Sequence, residues 1–339
     1  MDKSISNKIR NMGFICALLV VCIHTGLKRV DGSAHWWLRG LFDRGFARIA
    51  VPFFFMASGF FIAGKPWNVE VRKRLKSLVV PYLIFALAYA AWLWLVTAST
   101  NAVNGNDVLQ GLPEKICSLP HILGLKCREL PALGPLWYVR NLMLLVLVYP
   151  LIGIAVDGKR CGLTFLLACF SVYMVIAPSP PSHGPNHKLL IYFFSLEGLF
   201  YFSTGMYLRM NGFLLRIRRE VAIPCILAGF AMLVLQVYFR IDEYRLRTVA
   251  IPFLIVGVFG LVSGKEWPVW LTSLSFPIYL MHKFVIFPFE HHYGFWLRLG
   301  NPFVGQIAFH CSIVLLSMAA AFLFKRFFPK ISAICFGGR

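Results

Sequence analysis

The sequence is short of acidic side chains: among 339 residues, 14 Asp and Glu face 34 Lys and Arg, for a net charge of +20. No basic stretch forms a domain of its own. The cations sit in short connections between apolar runs, where they set topology and meet anionic lipid, so nucleic acid is not an expected partner. The chain has no Gly-x-Ser-x-Gly elbow and no glycine-rich loop opening a helix, which removes two common catalytic frameworks. No Cys, His or carboxylate pattern completes a metal set; His291 and His292 are merely adjacent in one loop, and no metal is expected. A small-residue cleavage site is missing after the first apolar run, which therefore reads as a retained span. Most of the nine cysteines lie in apolar runs, where a thiol acts as a small apolar group. Cys117 and Cys127 share one polar connection, and a disulfide between them is one reading if that connection faces an oxidising compartment.

What remains is hydrocarbon. The chain is 58% hydrophobic and 16% aromatic, with a mean hydropathy of +0.70, and many of its runs approach the roughly 20 residues that cross a bilayer. Ten spans are expected: 12–27, 46–64, 77–98, 135–156, 161–177, 189–208, 221–239, 248–262, 269–289 and 302–324. The fold class is therefore all-α, a polytopic helical bundle forming one unit over 1–339 in the cell membrane. More Lys and Arg fall in the alternate connections that include the N-terminus, which places both termini in the cytoplasm. Lys28, Arg29, Arg39, Arg44 and Arg48 crowd an outer connection against that rule, so either the topology fails there or these residues serve a site.

Polar residues inside apolar spans are costly and need a partner or a purpose. At about 1.5 Å per residue, His24 lies roughly 18 Å and His282 roughly 20 Å into a core about 30 Å thick. Arg140 and Glu197 fall roughly 8 and 12 Å below the outer edge of their inward-running spans. Arg48 joins them at the rim. A shared depth is what a common polar site produces. Each also has a plain structural reading: histidines and Glu197 as interhelical hydrogen-bonders, Arg140 and Lys283 snorkelling, Ser58 and Gly59 permitting close helix packing.

The order of motifs adds to this. Ala17–His24, Arg48-Ile-Ala-Val-Pro-Phe-Phe-Phe-Met-Ala-Ser-Gly-Phe60, Arg74–Tyr82, Gly134-Pro-Leu-Trp-Tyr-Val-Arg140, Phe202–Met206 and Ser275-Phe-Pro-Ile-Tyr-Leu-Met-His282 follow one another along most of the chain. In this the sequence resembles the acyltransferase 3 family, ten-span membrane proteins that O-acylate sugars and surface glycans. The resemblance implies that His24 is the family's essential histidine and His282 its late-span histidine. It also implies acetyl-CoA as the donor from the cytoplasm and a glycan acceptor outside. The family places an arginine eleven residues before the first histidine; here that residue is Gly13. Arg10 lies within about 40° of the same helical face, one turn nearer the cytoplasm, and suits the phosphates of coenzyme A.

The expected chemistry has His24 as general base toward a sugar hydroxyl, with an acyl-imidazole as the variant. Arg140 would stabilise the oxyanion and His282 would assist. Arg48, Ser58 and Glu197 would meet the acceptor, while Arg10, Arg72, Lys73 and Arg74 gather the donor. A transporter or flippase-like exporter suits the same buried polar cluster. A non-catalytic scaffold in envelope-polysaccharide machinery is the third reading.

Overall fold

The computed structural model describes residues 2–25, 37, 39–103, 119–124, 133–176, 195–213, 216–239, 245–290 and 302–338. Among these there are helices and no strands. They are α1 (Lys3–Thr25), α2 (Ala50–Ile62), α3 (Trp67–Val103), α4 (Leu119–Ile122), α5 (Leu136–Val156), α6 (Lys159–Ile176) and α7 (Leu196–Met210). Then come α8 (Arg219–Phe239), α9 (Arg245–Leu261), α10 (Val269–Thr272), α11 (Ser275–Glu290), α12 (Pro302–Phe327) and α13 (Pro329–Cys335). In a bilayer every backbone polar group must be satisfied within the segment, which is why these apolar runs fold as helices.

Among the described residues seven segments are long and apolar enough to cross a membrane: Lys3–Thr25, Arg39–Ile62, Trp67–Val103, Leu136–Val156, Lys159–Ile176, Arg219–Phe239 and Val304–Phe327. The other three expected spans coincide with shorter described helices. α7 has 15 residues and α9 has 17. The span expected at 269–289 is interrupted between α10 and α11, where Lys325 donates from Nζ to the Ser273 carbonyl (3.3 Å) and hydroxyl (3.0 Å). The span expected at 46–64 also begins differently. Residues 39–49 form a strap, with a π-helical turn at Arg39–Asp43 and a 3₁₀ turn at Phe46–Ile49, that leads into α2. Cys117, Cys127, Lys28, Arg29, His291 and His292 lie outside the described residues.

One buried cluster runs through α1, α2, α3, α5, α7, α9 and α11. Leu87 and Leu95 of α3, Leu167 of α6, Leu227 of α8 and Leu315 of α12 are exposed, an apolar exterior that suits lipid and not water. Glycine sets the tightest packing. A Cβ on Gly205 of α7 would collide with the Met56 carbonyl, and one on Gly59 of α2 with the Phe202 carbonyl. This reciprocal pair lets the two backbones meet, as small residues do between membrane helices.

The N-terminal end of α1 docks on the connection after α9. Asn11 Nδ2 donates to the carbonyls of Ser263 and Lys265, both at 2.9 Å, and Lys8 Nζ reaches the carbonyl of Gly260 at 3.3 Å. The opposite end of α1 carries His24. α2 starts beside it and runs antiparallel, its Phe54 reaching back to the level of Gly13. Between α2, α7 and α9 lies an apolar cavity of about 230 Å³ lined by Phe53, Met56, Phe60, Thr204, Ile255 and Phe259.

Candidate active site

His24 and His282 come together. Their ring centroids lie 5.0 Å apart with the planes inclined by 30°. His24 sits in the last turn of α1, and His282 is fully buried near the middle of α11. The Nδ1 of His282 faces the carbonyls of Tyr279 (2.7 Å) and Ile278 (3.3 Å). A carbonyl can only accept, so Nδ1 carries the proton and Nε2 presents its lone pair. Among the described residues that buried Nε2 has no hydrogen-bond partner. A buried polar atom left in that condition is the kind of place where a substrate group or water belongs.

The cations Arg48 and Lys283 lie within electrostatic reach of His24. Arg48 is held from behind, its Nε donating to the Asp43 carbonyl at 3.2 Å. Arg48 also reaches Glu197 electrostatically, together with Arg247. Glu197 stands in the first turn of α7, capped by Ser195, whose Oγ accepts from the Gly198 amide at 3.0 Å. Its Oε1 accepts from the Tyr173 hydroxyl at 3.1 Å. Arg48 thus links the histidine pair to a second polar group around Glu197.

Arg140 is buried, and its Nη1 donates to the Gly124 carbonyl. Tyr82, which lies within electrostatic reach of Arg140, donates its hydroxyl to the neighbouring Leu123 carbonyl. Two further rings pack beside His282. Tyr279 packs edge-on against Tyr138 at 5.5 Å and tilts over His282 at 6.2 Å, while its hydroxyl donates to the Pro135 carbonyl. Ser58 is partly buried and follows Phe54 by one helical turn, on the α2 face that looks toward α1.

The donor-side residues lie at the other end of α1. Arg10 is fourteen residues from His24, about 21 Å along the helix, and pairs with Glu266 at 3.6 Å. Arg72 and Lys73 are exposed at the start of α3. Arg74 is spoken for by Glu70, with Nε to Oε2 at 3.0 Å. At Gly13 a Cβ would meet nothing nearer than the Phe54 ring edge at 3.9 Å, an ordinary contact, so the backbone admits a Cβ there.

Sequence reasoning missed Tyr279, Tyr173 and Arg247, and it passed over Asp43 and His310, which form a second buried pair. Tyr279 was within reach, three residues before His282 in the quoted motif. His310 is a lone histidine in an apolar run, the argument already used for His24. Nothing local marks Arg247 or Tyr173, because their partner Glu197 is far along the chain.

No solved structure matches this chain. It is similar to the "Succinoglycan biosynthesis protein ExoH" of Rhizobium meliloti (strain 1021), at 23% identity, covering 100% of this chain and 94% of the relative. The model of the acyltransferase domain family matches residues 8–326. Coverage of that extent makes the chain a member of the acyltransferase 3 family, and so an acyltransferase.

Proposed function

We propose that this protein is a membrane O-acyltransferase that moves an acyl group, acetyl in the simplest case, from cytoplasmic acyl-CoA to a hydroxyl of an exported or cell-surface glycan. The observation that carries the reading is the His24–His282 pair with its unpartnered Nε2. His24 takes the proton of the sugar hydroxyl as its oxygen bonds to the thioester carbonyl carbon. The carbon–sulfur bond then breaks, and the proton passes to the departing thiolate as free CoA. His282, with its tautomer fixed by the Tyr279 carbonyl, orients and supports the first imidazole. Arg48 and Lys283 add positive charge where the oxyanion develops.

The acceptor would lie by Arg48 and Glu197; Ser58, ten residues and about 15 Å beyond Arg48 along α2, falls toward the donor end. CoA phosphates would meet Arg10, Arg72 and Lys73 at the opposite end, the one bearing the N-terminus, and the bias of Lys and Arg supports a cytoplasmic position for it. Arg140, held by the Gly124 carbonyl, takes a positioning role. The succinoglycan relative supports a polysaccharide acceptor, and the whole chain, 1–339, acts as one unit. Family membership favours acyl transfer over the exporter reading, which the bundle alone suits equally well.

Mass spectrometry of surface glycans from cells with and without the gene tests this. Loss of one acyl mass per modified repeat in the deletion is expected. Unchanged glycan mass alongside altered glycan export would replace this reading with transport.

A further inference from the structure

A second buried ionisable pair lies apart from the imidazoles. His310 of α12 faces Asp43 of the strap, with Nε2 and Oδ1 3.7 Å apart and side chains 10% and 5% exposed. Here the histidine's neighbour is a carboxylate rather than a second imidazole. His310 Nδ1 faces the Gln306 carbonyl at 3.2 Å, so it carries a proton. Its Nε2 faces the carboxylate. At 3.7 Å this is a charge contact rather than a hydrogen bond.

The strap's backbone explains what the pair can do. The Asp43 carbonyl accepts from Arg48 Nε at 3.2 Å, and the next carbonyl, Arg44, accepts from Arg247 Nη1 at 3.1 Å. Both cations act on Glu197, and Arg48 also acts on His24. Two adjacent carbonyls of one strap therefore aim two guanidinium groups at the polar site. The strap itself contains a π-helical turn, a form found most often at functional positions. Its turns are too short to be stable alone. The contact between Asp43 and His310 anchors it to α12 beside Cys22, two residues before His24.

We propose that Asp43 and His310 are a positioning pair that fixes the strap and so holds Arg48 and Arg247 around the acceptor. This inference rests on the proposed function only for its catalytic readout. A buried pair broken from either side leaves the other group uncompensated, so the two single substitutions should have the same effect.

The test uses the full-length protein in lipid nanodiscs, with acetyl-CoA and chemically de-O-acylated surface polysaccharide as probes. Asp43→Asn and His310→Gln should each raise the acceptor KM about tenfold, the scale of coupling within a contacting pair, and lower kcat by less, since Arg48 also serves the oxyanion. The double variant should be no worse than either single one. In an Arg48→Lys background His310→Gln should add little. Single losses that multiply in the double variant, or a fall confined to kcat, would overturn the proposal. Hydrogen–deuterium exchange supplies an arm that needs no activity. Both substitutions should speed exchange at 39–49 to the same extent and leave α11 unchanged; an unaffected strap would also overturn it. Wild-type protein that transfers no acyl group would contradict the proposed function alone, and the exchange arm would still decide this inference.

Discussion

His24 and His282, separated by 258 positions in the sequence, stack with centroids 5.0 Å apart where α1 meets α11. The contact matters because one imidazole has a fixed tautomer and an open nitrogen, while the other faces two cations. Substituting His282 by Asn should therefore lower the transfer rate by about 10- to 100-fold, less than loss of the base itself. Steady-state assay of free CoA release by purified variants checks this. A His282→Asn rate equal to wild type would remove its supporting role.

Tyr279 is expected to act through His282. Its carbonyl holds Nδ1, and its hydroxyl holds the start of α5 through Pro135. Tyr279→Phe keeps the first contact and loses the second. Activity should fall about threefold to tenfold, and thermal stability in detergent by about 1 kcal/mol, the usual net worth of a hydrogen bond. Tyr279→Ala also removes the ring between His282 and Tyr138, and it should cost distinctly more in both measurements.

The donor end makes a separable prediction. Arg10→Ala should raise the KM for acetyl-CoA several-fold with little change in acceptor KM. The backbone at Gly13 admits a Cβ, with Phe54 at 3.9 Å in ordinary contact, and Gly13→Arg should fold. In an Arg10→Ala background it should recover donor affinity, since both positions lie on nearly one face of α1. Isothermal titration with CoA reads the effect without needing the acceptor.

Packing between α2 and α7 depends on two glycines whose missing side chains admit a neighbouring carbonyl. Gly205→Val should push Met56 away and destabilise the protein by about 1–3 kcal/mol, the cost of overpacking a filled interface. Expression level and thermal unfolding in detergent report it. Gly64, at φ 73° with nothing within 4 Å of its Cβ position, lies outside this interface, and Gly64→Asn should be tolerated.

Much of this was legible in the residues. Continuous apolar runs fixed the all-helical class, and the cost of polar groups in lipid singled out His24, His282 and Glu197. Boundaries were harder. α3 begins at Trp67, ten residues before the apolar run, because Glu70 and Arg74 pair one turn apart and extend the helix. The strap at 39–49 was read as loop and the start of a span, since its π and 3₁₀ turns have no distinctive periodicity. Depth along a helix could be counted, but lateral position could not. Arg140, counted to the depth of the site, bonds the Gly124 carbonyl, while Arg247 enters the site from a segment counted only for its charge. Gly59 was read as a packing residue, and it packs as expected against α7.

The most direct test of the central claim is the rate of acyl transfer by a His24→Asn variant that reaches wild-type levels and melting temperature. Acetyl-CoA and de-O-acylated polysaccharide would be supplied to reconstituted protein, with ester mass and free CoA counted together. The account predicts one CoA released per acyl group gained by the wild type, and a rate at least about 10² lower in the variant. A folded His24→Asn protein that transfers acyl groups at the wild-type rate would contradict it.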